Sequence, residues 1–139
     1  MAISVTKSFR IESESDDGVT MCLSSGSGNE WLSVFLVKCS SSTHEQFSID
    51  EEGRLRNGRF ANYCLAPTVD EASSFTEIKL KHCAQVFDSW LRTADGRFTF
   101  SGSEKGMTLA NTQEGEIPFM YAQNNSFIQK LKMNPVYNM

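Results

Sequence analysis

The chain has 139 residues, of which 40% are hydrophobic and 22% charged, and this suits one globular domain with its own core. Its formal net charge of −4 argues against a nucleic-acid partner, which would require a concentrated basic surface. No stretch approaches the roughly 18 apolar residues of a membrane helix, so we expect no membrane insertion.

Short runs of alternating apolar and polar residues recur along the chain and predict half-buried β-strands. The clearest runs are Ser8–Glu12, Leu32–Val37 and Glu77–Lys81. The segments Arg56-Asn57-Gly58 and Asp95-Gly96 are typical of turns. No long window has helical spacing, so the chain is predicted to be all-β, with about twelve short strands.

An aromatic residue followed by a turn and a new strand recurs with a period of about 43 residues. Phe47 lies six residues before Gly53-Arg54-Leu55, and Trp90 lies six residues before Gly96-Arg97-Phe98. Such periods indicate an architecture of stacked units. The pattern predicts a single domain over residues 1–139, with repeats at about 7–50, 51–94 and 95–139.

Three units of four strands are the plan of a β-trefoil. Each unit has an apolar face too small to bury alone, and closure of the three units around a pseudo-threefold axis removes exposed strand edges. Equivalent core positions are predicted for Leu23, Leu65 and Leu109. A second core layer is predicted for Phe47, Trp90 and Phe127.

The four cysteines follow the same repeat, because Cys22-Leu23 is matched by Cys64-Leu65, and Cys39 by Cys83. Four cysteines allow three pairings, and the repeat favours Cys22–Cys39 with Cys64–Cys83. The alternative is four reduced, buried thiols. In the third unit Thr108 takes the place of the first cysteine. No Cys-x-x-Cys pair is present, so we expect no metal site.

Disulfides persist in oxidising compartments, so this pairing predicts a secreted or extracellular protein. The segment Met1–Arg10 lacks a basic region followed by an apolar run and does not look like a signal peptide. Either a leader was removed before Met1, or the protein is made without one, in which case a cytoplasmic location is the alternative.

The order of these features resembles the ricin B-chain (R-type) family of β-trefoil lectins. That family repeats a Cys-Leu step, a second cysteine, a Gln-x-Trp step and an Asp-Gly turn. The first unit here has Cys22-Leu23, Cys39, Glu45-Gln46-Phe47 and Gly53, and the second has Cys64-Leu65, Cys83, Asp88-Ser89-Trp90 and Asp95-Gly96. The resemblance implies a carbohydrate-binding, lectin-like module that partners a glycan or glycoprotein and needs no cofactor.

The family's sugar-binding residues are largely replaced. Its Asp two residues after the first cysteine reads Ser24, Ala66 and Ala110. Its stacking aromatic near the second cysteine reads Val37 and Lys81 in the first two units. Its Asn-Gln step reads His44-Glu45, Phe87-Asp88 and Asn124-Asn125. No unit keeps the full set.

A sugar needs a flat apolar ring and planar hydrogen-bonding groups at its rim, and the third unit comes closest to providing them. Its candidates are Tyr121 for stacking and Asn111, Asn124 and Asn125 for hydrogen bonding. The alternative is that the asparagines bond to turn backbone and that Tyr121 is core.

The other two units are weaker candidates. The first offers Trp31, His44 and Glu45, with a Trp31 that folds inward as the alternative. The second offers Asp70 and Asp88 but no obvious ring, so we expect it not to bind sugar.

An enzymatic function has little support. The serines lie in turns without a Gly-x-Ser-x-Gly elbow, and His44 and His82 have no recognisable acid partner and nucleophile. One scaffold can host unrelated sites, so the alternative function is a non-catalytic protein-interaction or protease-inhibitor module that has lost sugar binding. Its contact loop would be Asn57–Tyr63 or Ser101–Gly106.

Overall fold

The computed structural model describes residues 8–26, 32–68, 75–101, 103–124 and 127–136. These ranges form twelve short strands: β1 (Phe9–Glu14), β2 (Thr20–Ser25), β3 (Val34–Lys38), β4 (Phe47–Ile49), β5 (Leu55–Asn57), β6 (Tyr63–Pro67), β7 (Ile78–His82), β8 (Trp90–Arg92), β9 (Phe98–Phe100), β10 (Lys105–Thr108), β11 (Phe119–Ala122) and β12 (Lys132–Pro135). Single 3-10 turns lie at Thr43–Glu45 and Cys83–Gln85. The all-β prediction is confirmed. No helix within the described ranges is long and apolar enough to cross a membrane.

All strand pairings within the described ranges are antiparallel. One sheet runs β3-β2-β1-β4-β5-β6-β7, with β12 added to β1, and the other runs β11-β10-β9-β8. The β1–β12 pair places Phe9 opposite Pro135, and so joins the first described strand to the last. Pairing the ends of the chain in this way leaves fewer open strand edges.

Three backbone hydrogen bonds display the pseudo-threefold symmetry. The amides of Leu36, Leu80 and Met120 donate to the carbonyls of Glu116, Leu32 and Thr76 at 2.9, 2.8 and 2.8 Å, respectively. The three acceptors occupy equivalent positions, because each lies four residues before the donor of its own unit: Glu116 before Met120, Leu32 before Leu36, and Thr76 before Leu80. The three donors are buried. The predicted β-trefoil of three four-strand repeats is therefore confirmed.

The strand register corrects the alignment of the third unit. The residues that face Leu36, Leu80 and Met120 across their hairpins are Leu23, Leu65 and Met107. Met107 therefore takes the place predicted for Leu109, although Leu109 is also buried. One residue earlier, Gly106 faces Tyr121 as Cys22 faces Val37, so Gly106 and not Thr108 is the counterpart of the cysteine.

The predicted aromatic layer is correct in two units and wrong in the third. Phe47 and Trp90 are buried, and the Trp90 indole N–H donates to the Leu65 carbonyl at 2.9 Å. Phe127 is only half-buried. Leu131 occupies the position predicted for Phe127. The Leu131 amide donates to the Gly96 carbonyl at 2.9 Å, just as the Trp90 amide donates to the Gly53 carbonyl at 2.8 Å.

Both predicted disulfides, Cys22–Cys39 and Cys64–Cys83, are present, in place of the alternative of four reduced thiols. Each bridge lies within its own unit. The Glu12 carboxylate lies within 4.8 Å of the Cys22 and Cys39 sulfurs. Sulfurs already bonded to each other provide no thiolate for a metal, so this group is not a metal centre.

Candidate functional site

Four aromatic side chains, Phe75 of the second unit and Phe119, Tyr121 and Phe127 of the third, form a partly exposed group that we call the aromatic cluster. The ring centroid of Tyr121 lies 5.0 Å from that of Phe127 and 5.2 Å from that of Phe75. Phe75 is 63% exposed and the other three are half-buried. Rings packed at these centroid distances attract one another, and their incomplete burial leaves apolar surface exposed to solvent.

Strand β11 and the residue Phe75 position this cluster. Alternation along β11 buries Met120 and places Phe119 and Tyr121 together on the opposite face. Phe75 has a φ of +69°, which is uncommon for a bulky residue. Its amide donates to the Met120 carbonyl at 2.7 Å, which fastens it beside β11.

Tyr121 occupies the place that the resemblance assigns to the stacking ring. It faces Gly106, as Val37 faces Cys22 and Lys81 faces Cys64. The third unit therefore has an aromatic side chain where the first two have an aliphatic and a cationic one.

The sequence pattern does not indicate a role for Gln129, yet this residue organises the turn after β11. Its side chain is buried, and its Nε2 donates to Thr108 Oγ1 at 3.0 Å and to the Ala122 carbonyl at 2.9 Å. Its Oε1 accepts from the Asn124 amide at 3.0 Å. The buried amide thereby holds the exposed Asn124 at the edge of the aromatic cluster.

A sequence signal for Gln129 did exist. Gln129-Lys130-Leu131 is the third unit's version of the Gln-x-Trp step, with leucine in place of the aromatic residue. Since Leu131 is the counterpart of Trp90, the Asn-Gln step of this unit reads Ile128-Gln129 and not Asn124-Asn125. The repeat pattern does not indicate this, because it assigns Phe127 as the aromatic residue of the third unit.

A shallow depression of about 240 Å³ lies beside the aromatic cluster, and we call it the third-unit depression. It is lined by Arg97, Asn124, Phe127, Ile128, Gln129 and Lys130. Arg97 forms an ion pair through Nη1 with Asp95. The hydrogen bond from the Thr93 hydroxyl, together with the charges of Arg97 and Lys130, outweighs desolvation and holds the pKa of Asp95 below its usual value. Asp95 therefore remains ionised at neutral pH.

The remaining candidates of the third unit lie elsewhere. Asn111 is exposed, and its Oδ1 accepts from the Gln113 amide at 2.9 Å, as an asparagine in a turn does. Asn111 is not among the residues that line the third-unit depression. Asn125 lies outside the described residues, as do Trp31 and Asp70 of the other units.

In the first unit, His44 and Glu45 make structural contacts. Glu45 is 3% exposed, and its carboxylate accepts from the Ser40 amide at 2.6 Å and from the Ser40 hydroxyl. His44 Nδ1 lies 3.0 Å from Ser25 Oγ, and its ring packs edge-on against Phe60. Burial leaves the Glu45 carboxylate without access to a ligand.

The second unit has a ring that the sequence analysis did not find. Phe87 is 92% exposed, and it borders a depression of about 160 Å³ lined also by Lys81 and Asp88. The signal for it was the Phe87-Asp88 pair at the Asn-Gln step. Lys81 holds the stacking place of this unit, and Phe87 is the exposed ring that lines the same depression.

A family model described as the ricin-type beta-trefoil lectin domain matches residues 8–130. No curated protein matches the chain. Among solved structures, a non-toxic homologue of type II RIPs from Momordica charantia (bitter gourd), in complex with alpha-methyl-D-galactoside, is 16% identical with a TM-score of 0.69. That similarity covers 95% of this chain and 48% of the other, so the chain spans about half the length of that protein.

Two further structures match this chain over nearly their whole length. The C-half of the earthworm R-type lectin, in complex with GalNAc, is 11% identical with a TM-score of 0.71, covering 94% of this chain and 99% of the other. The beta-trefoil lectin of the Vibrio vulnificus hemolysin/cytolysin, with N-acetyl-D-lactosamine bound, is 18% identical with a TM-score of 0.67, covering 100% and 99%. Likeness at these identities supports the fold, and the family model spans most of the sequence. The chain therefore belongs to the ricin-type β-trefoil lectin domain family and is a carbohydrate-binding module of the lectin type.

Proposed function

We propose that the chain binds a glycan at its third unit, across the aromatic cluster and the third-unit depression. The observation that carries the proposal is Tyr121, a half-buried ring at the stacking place, with Phe127 5.0 Å away and Asn124 at the rim. Aromatic rings provide the flat apolar surface that one face of a sugar requires, and amides both donate to and accept from its hydroxyls. Asn125 follows Asn124 in the chain and belongs to the proposal, whereas Asn111 does not.

The shallow shape of the third-unit depression favours weak binding of a glycan. A shallow depression buries only part of a ligand, and enclosed pockets bury far more. We therefore expect a dissociation constant of about 1 mM for a short glycan, which corresponds to roughly 4 kcal/mol of binding free energy.

The test is a glycan array followed by a titration of the best-binding glycan. Tyr121→Ala removes the ring and should weaken binding by about tenfold or more, since each tenfold requires about 1.4 kcal/mol. Tyr121→Phe keeps the ring and should retain most of the affinity. The matched control is Phe87→Ala, which removes an exposed ring from the second unit and should leave binding unchanged.

Two results would count against this proposal. If the parent bound no glycan at millimolar concentration, the carbohydrate function itself would fail. If Phe87→Ala abolished binding and Tyr121→Ala did not, the second unit would hold the site.

The second candidate function is a protein-interaction or protease-inhibitor module, and the loop Asn57–Tyr63 favours it. Asn57 is buried, and its Oδ1 accepts from the amides of Arg59 and Phe60, both at 3.0 Å. A rigid loop that exposes Arg59 is what an inhibitor would present to a protease. Stoichiometric inhibition of a trypsin-like protease, lost in Arg59→Ala and insensitive to added sugars, would favour this function.

We also propose that the chain acts as one non-catalytic domain over residues 1–139, in an oxidising, extracellular compartment. Two disulfides support that location, because cytosolic reductants keep such thiols reduced. Mass spectrometry of unreduced peptides from the native source is the test. Free thiols at all four cysteines would contradict secretion.

A further inference from the structure

Positive charge gathers at the third-unit depression of an otherwise acidic protein. Arg97 and Lys130 both line it, and none of the described residues that line it is acidic. The chain as a whole carries a formal charge of −4. The local charge therefore has the opposite sign to the charge of the molecule.

A third cation stands beside the same turn. The Arg92 Nη2 donates to the Leu131 carbonyl at 2.7 Å, and its guanidinium lies over the Phe98 ring at 4.9 Å. A Cβ placed on Gly96 would lie 3.6 Å from Arg92 Nη2 and 3.9 Å from Lys130 Cβ, so both side chains adjoin this turn. These contacts fix the Arg92 guanidinium in place against the turn.

The Asp95 carboxylate lies beside these cations and forms an ion pair with one of them, Arg97. Its side chain also accepts from the Thr93 hydroxyl, so part of its hydrogen-bonding capacity is used within its own turn. Arg92, Arg97 and Lys130 together carry three positive charges against this one negative charge. Lys130 is exposed, and its ammonium can reach a ligand in the depression.

We infer that the third-unit depression selects saccharides that carry a negatively charged group, a sulfate or a carboxylate. This inference rests on the proposed glycan-binding function of the same site. The sugar ring packs on the aromatic cluster, and its anionic group accepts hydrogen bonds from Lys130 and Arg97. Charge-assisted hydrogen bonds of this kind are roughly twice as strong as neutral ones.

Matched glycans that share one neutral core provide the test: lactose, 3′-sulfated lactose and 3′-sialyllactose, titrated by calorimetry. At about 20 mM salt the charged members should bind about tenfold more tightly than lactose. The ratio should fall towards one near 1 M salt, where the screening length is about 3 Å. The sulfated and sialylated members together show which anion the site accepts.

Lys130→Gln should bring the ratio of charged to neutral affinity close to one. The matched control is Lys38→Gln, which makes the same charge change at an exposed lysine in a separate groove lined by Asp16 and Asp17. This control should leave the ratio unchanged.

Equal affinity for lactose and its charged relatives at low salt would overturn the inference while the proposed function stands. A preference that survived Lys130→Gln would overturn it as well. If no member bound, and no glycan on an array bound either, the proposed function would fail and the inference with it.

Discussion

Asp50 fixes the turn between β4 and β5 through both oxygens of its carboxylate. Oδ1 accepts from the amides of Glu52 and Arg54, each at 2.9 Å. Oδ2 accepts from Nε of Arg54 at 2.8 Å and from Nε of Arg56 at 2.9 Å. Burial by itself would raise the pKa of Asp50, but these hydrogen bonds outweigh it and hold the pKa below the usual 3.8.

The first prediction concerns the pH dependence of stability. Since the folded pKa lies below the unfolded one, ionised Asp50 stabilises the fold above pH 3.8. That contribution is lost as the pH falls through the folded pKa. Asp50→Asn should lower the free energy of unfolding at pH 7 by about 1–3 kcal/mol, and the difference from the parent should shrink in strong acid.

Urea denaturation of both proteins at several pH values measures this difference. Asp16→Asn, at an exposed aspartate in the β1–β2 turn, is the control. A loss of the same size in Asp16→Asn, or a difference at Asp50 that does not change with pH, would contradict the role given to the Asp50 carboxylate.

Gly53 combines a left-handed backbone with a close contact, and it supports the second prediction. Its φ is +79°, and an added Cβ would lie 2.6 Å from Ser89 Cβ. Gly115 has a φ of +91° with nothing within 4 Å of the added Cβ. Both alanine variants should lose about 1–2 kcal/mol to backbone strain, and Gly53→Ala should lose about 1–3 kcal/mol more through overpacking.

Thermal unfolding of the two alanine variants separates these effects, because Gly115→Ala reports backbone strain without a steric contact. Equal losses in the two variants would contradict the prediction. They would show that Ser89, just before β8, moves away from the added methyl group without cost to the free energy of unfolding.

At the level of elements, the hairpin of the third unit is fastened by hydrogen bonds where the first two hairpins have disulfides. Gln129 reaches Thr108 on β10, Ala122 on β11 and the Asn124 amide after β11. One buried side chain thus joins two strands and a loop. Its loss would deprive the buried Thr108 hydroxyl of a hydrogen-bond donor, and the Ala122 carbonyl and the Asn124 amide of their side-chain partner.

The third prediction follows from this arrangement. Gln129→Ala should lower the free energy of unfolding by about 2–4 kcal/mol, and it should weaken glycan binding because Asn124 loses its anchor. Gln129→Glu keeps an acceptor for the Asn124 amide but cannot donate to Ala122, so it should also destabilise. Chemical denaturation gives the stability, and the exposed Gln113→Ala is the control. A Gln129→Ala variant as stable as Gln113→Ala would contradict this role.

The elements also show how far the sequence could predict the structure. Cysteines and aromatics marked the first two units, and there the strands, the bridges and the core aromatics were predicted correctly. The third unit has neither mark, because Gly106 replaces the cysteine and Leu131 replaces the aromatic. The prediction consequently slipped by two residues at β10 and by four at Leu131.

The candidate site was predictable only in part, for a related reason. Tyr121 follows from its place in the repeat. Phe75 belongs to the second unit and reaches the cluster from there, so no comparison within the third unit could reveal it. The role of Gln129 depends on buried tertiary hydrogen bonds, which the pattern of apolar and polar residues does not encode.

At the scale of the whole molecule, closure couples the three units. The β1–β12 pairing joins the ends of the described chain, and hydrogen bonds from Leu36, Leu80 and Met120 tie each unit to another around the axis. No unit can therefore lose its structure without removing partners from the other two. We expect the trefoil to unfold as one cooperative domain, as most small domains do.

The last prediction uses the two disulfides to test that coupling. Their cysteines are 17 and 19 residues apart. Because each bridge lowers the conformational entropy of the unfolded chain, it should raise the free energy of unfolding by about 3 kcal/mol. Losing one bridge, by Cys22→Ser with Cys39→Ser or by Cys64→Ser with Cys83→Ser, should lower Tm by about 10 °C. Losing both removes about 6 kcal/mol, a large part of the 5–15 kcal/mol typical of a domain.

Calorimetry with and without reductant measures these changes. Because the loops are nearly equal in length, the two single-bridge variants should lose similar amounts, and each should unfold in one transition. If the units were independent, removal of one bridge would split the transition in two and leave the rest of the protein at the parent Tm. A single, shifted transition in both variants would show that each bridge stabilises the whole trefoil, including the bridge-free third unit that carries the proposed glycan site.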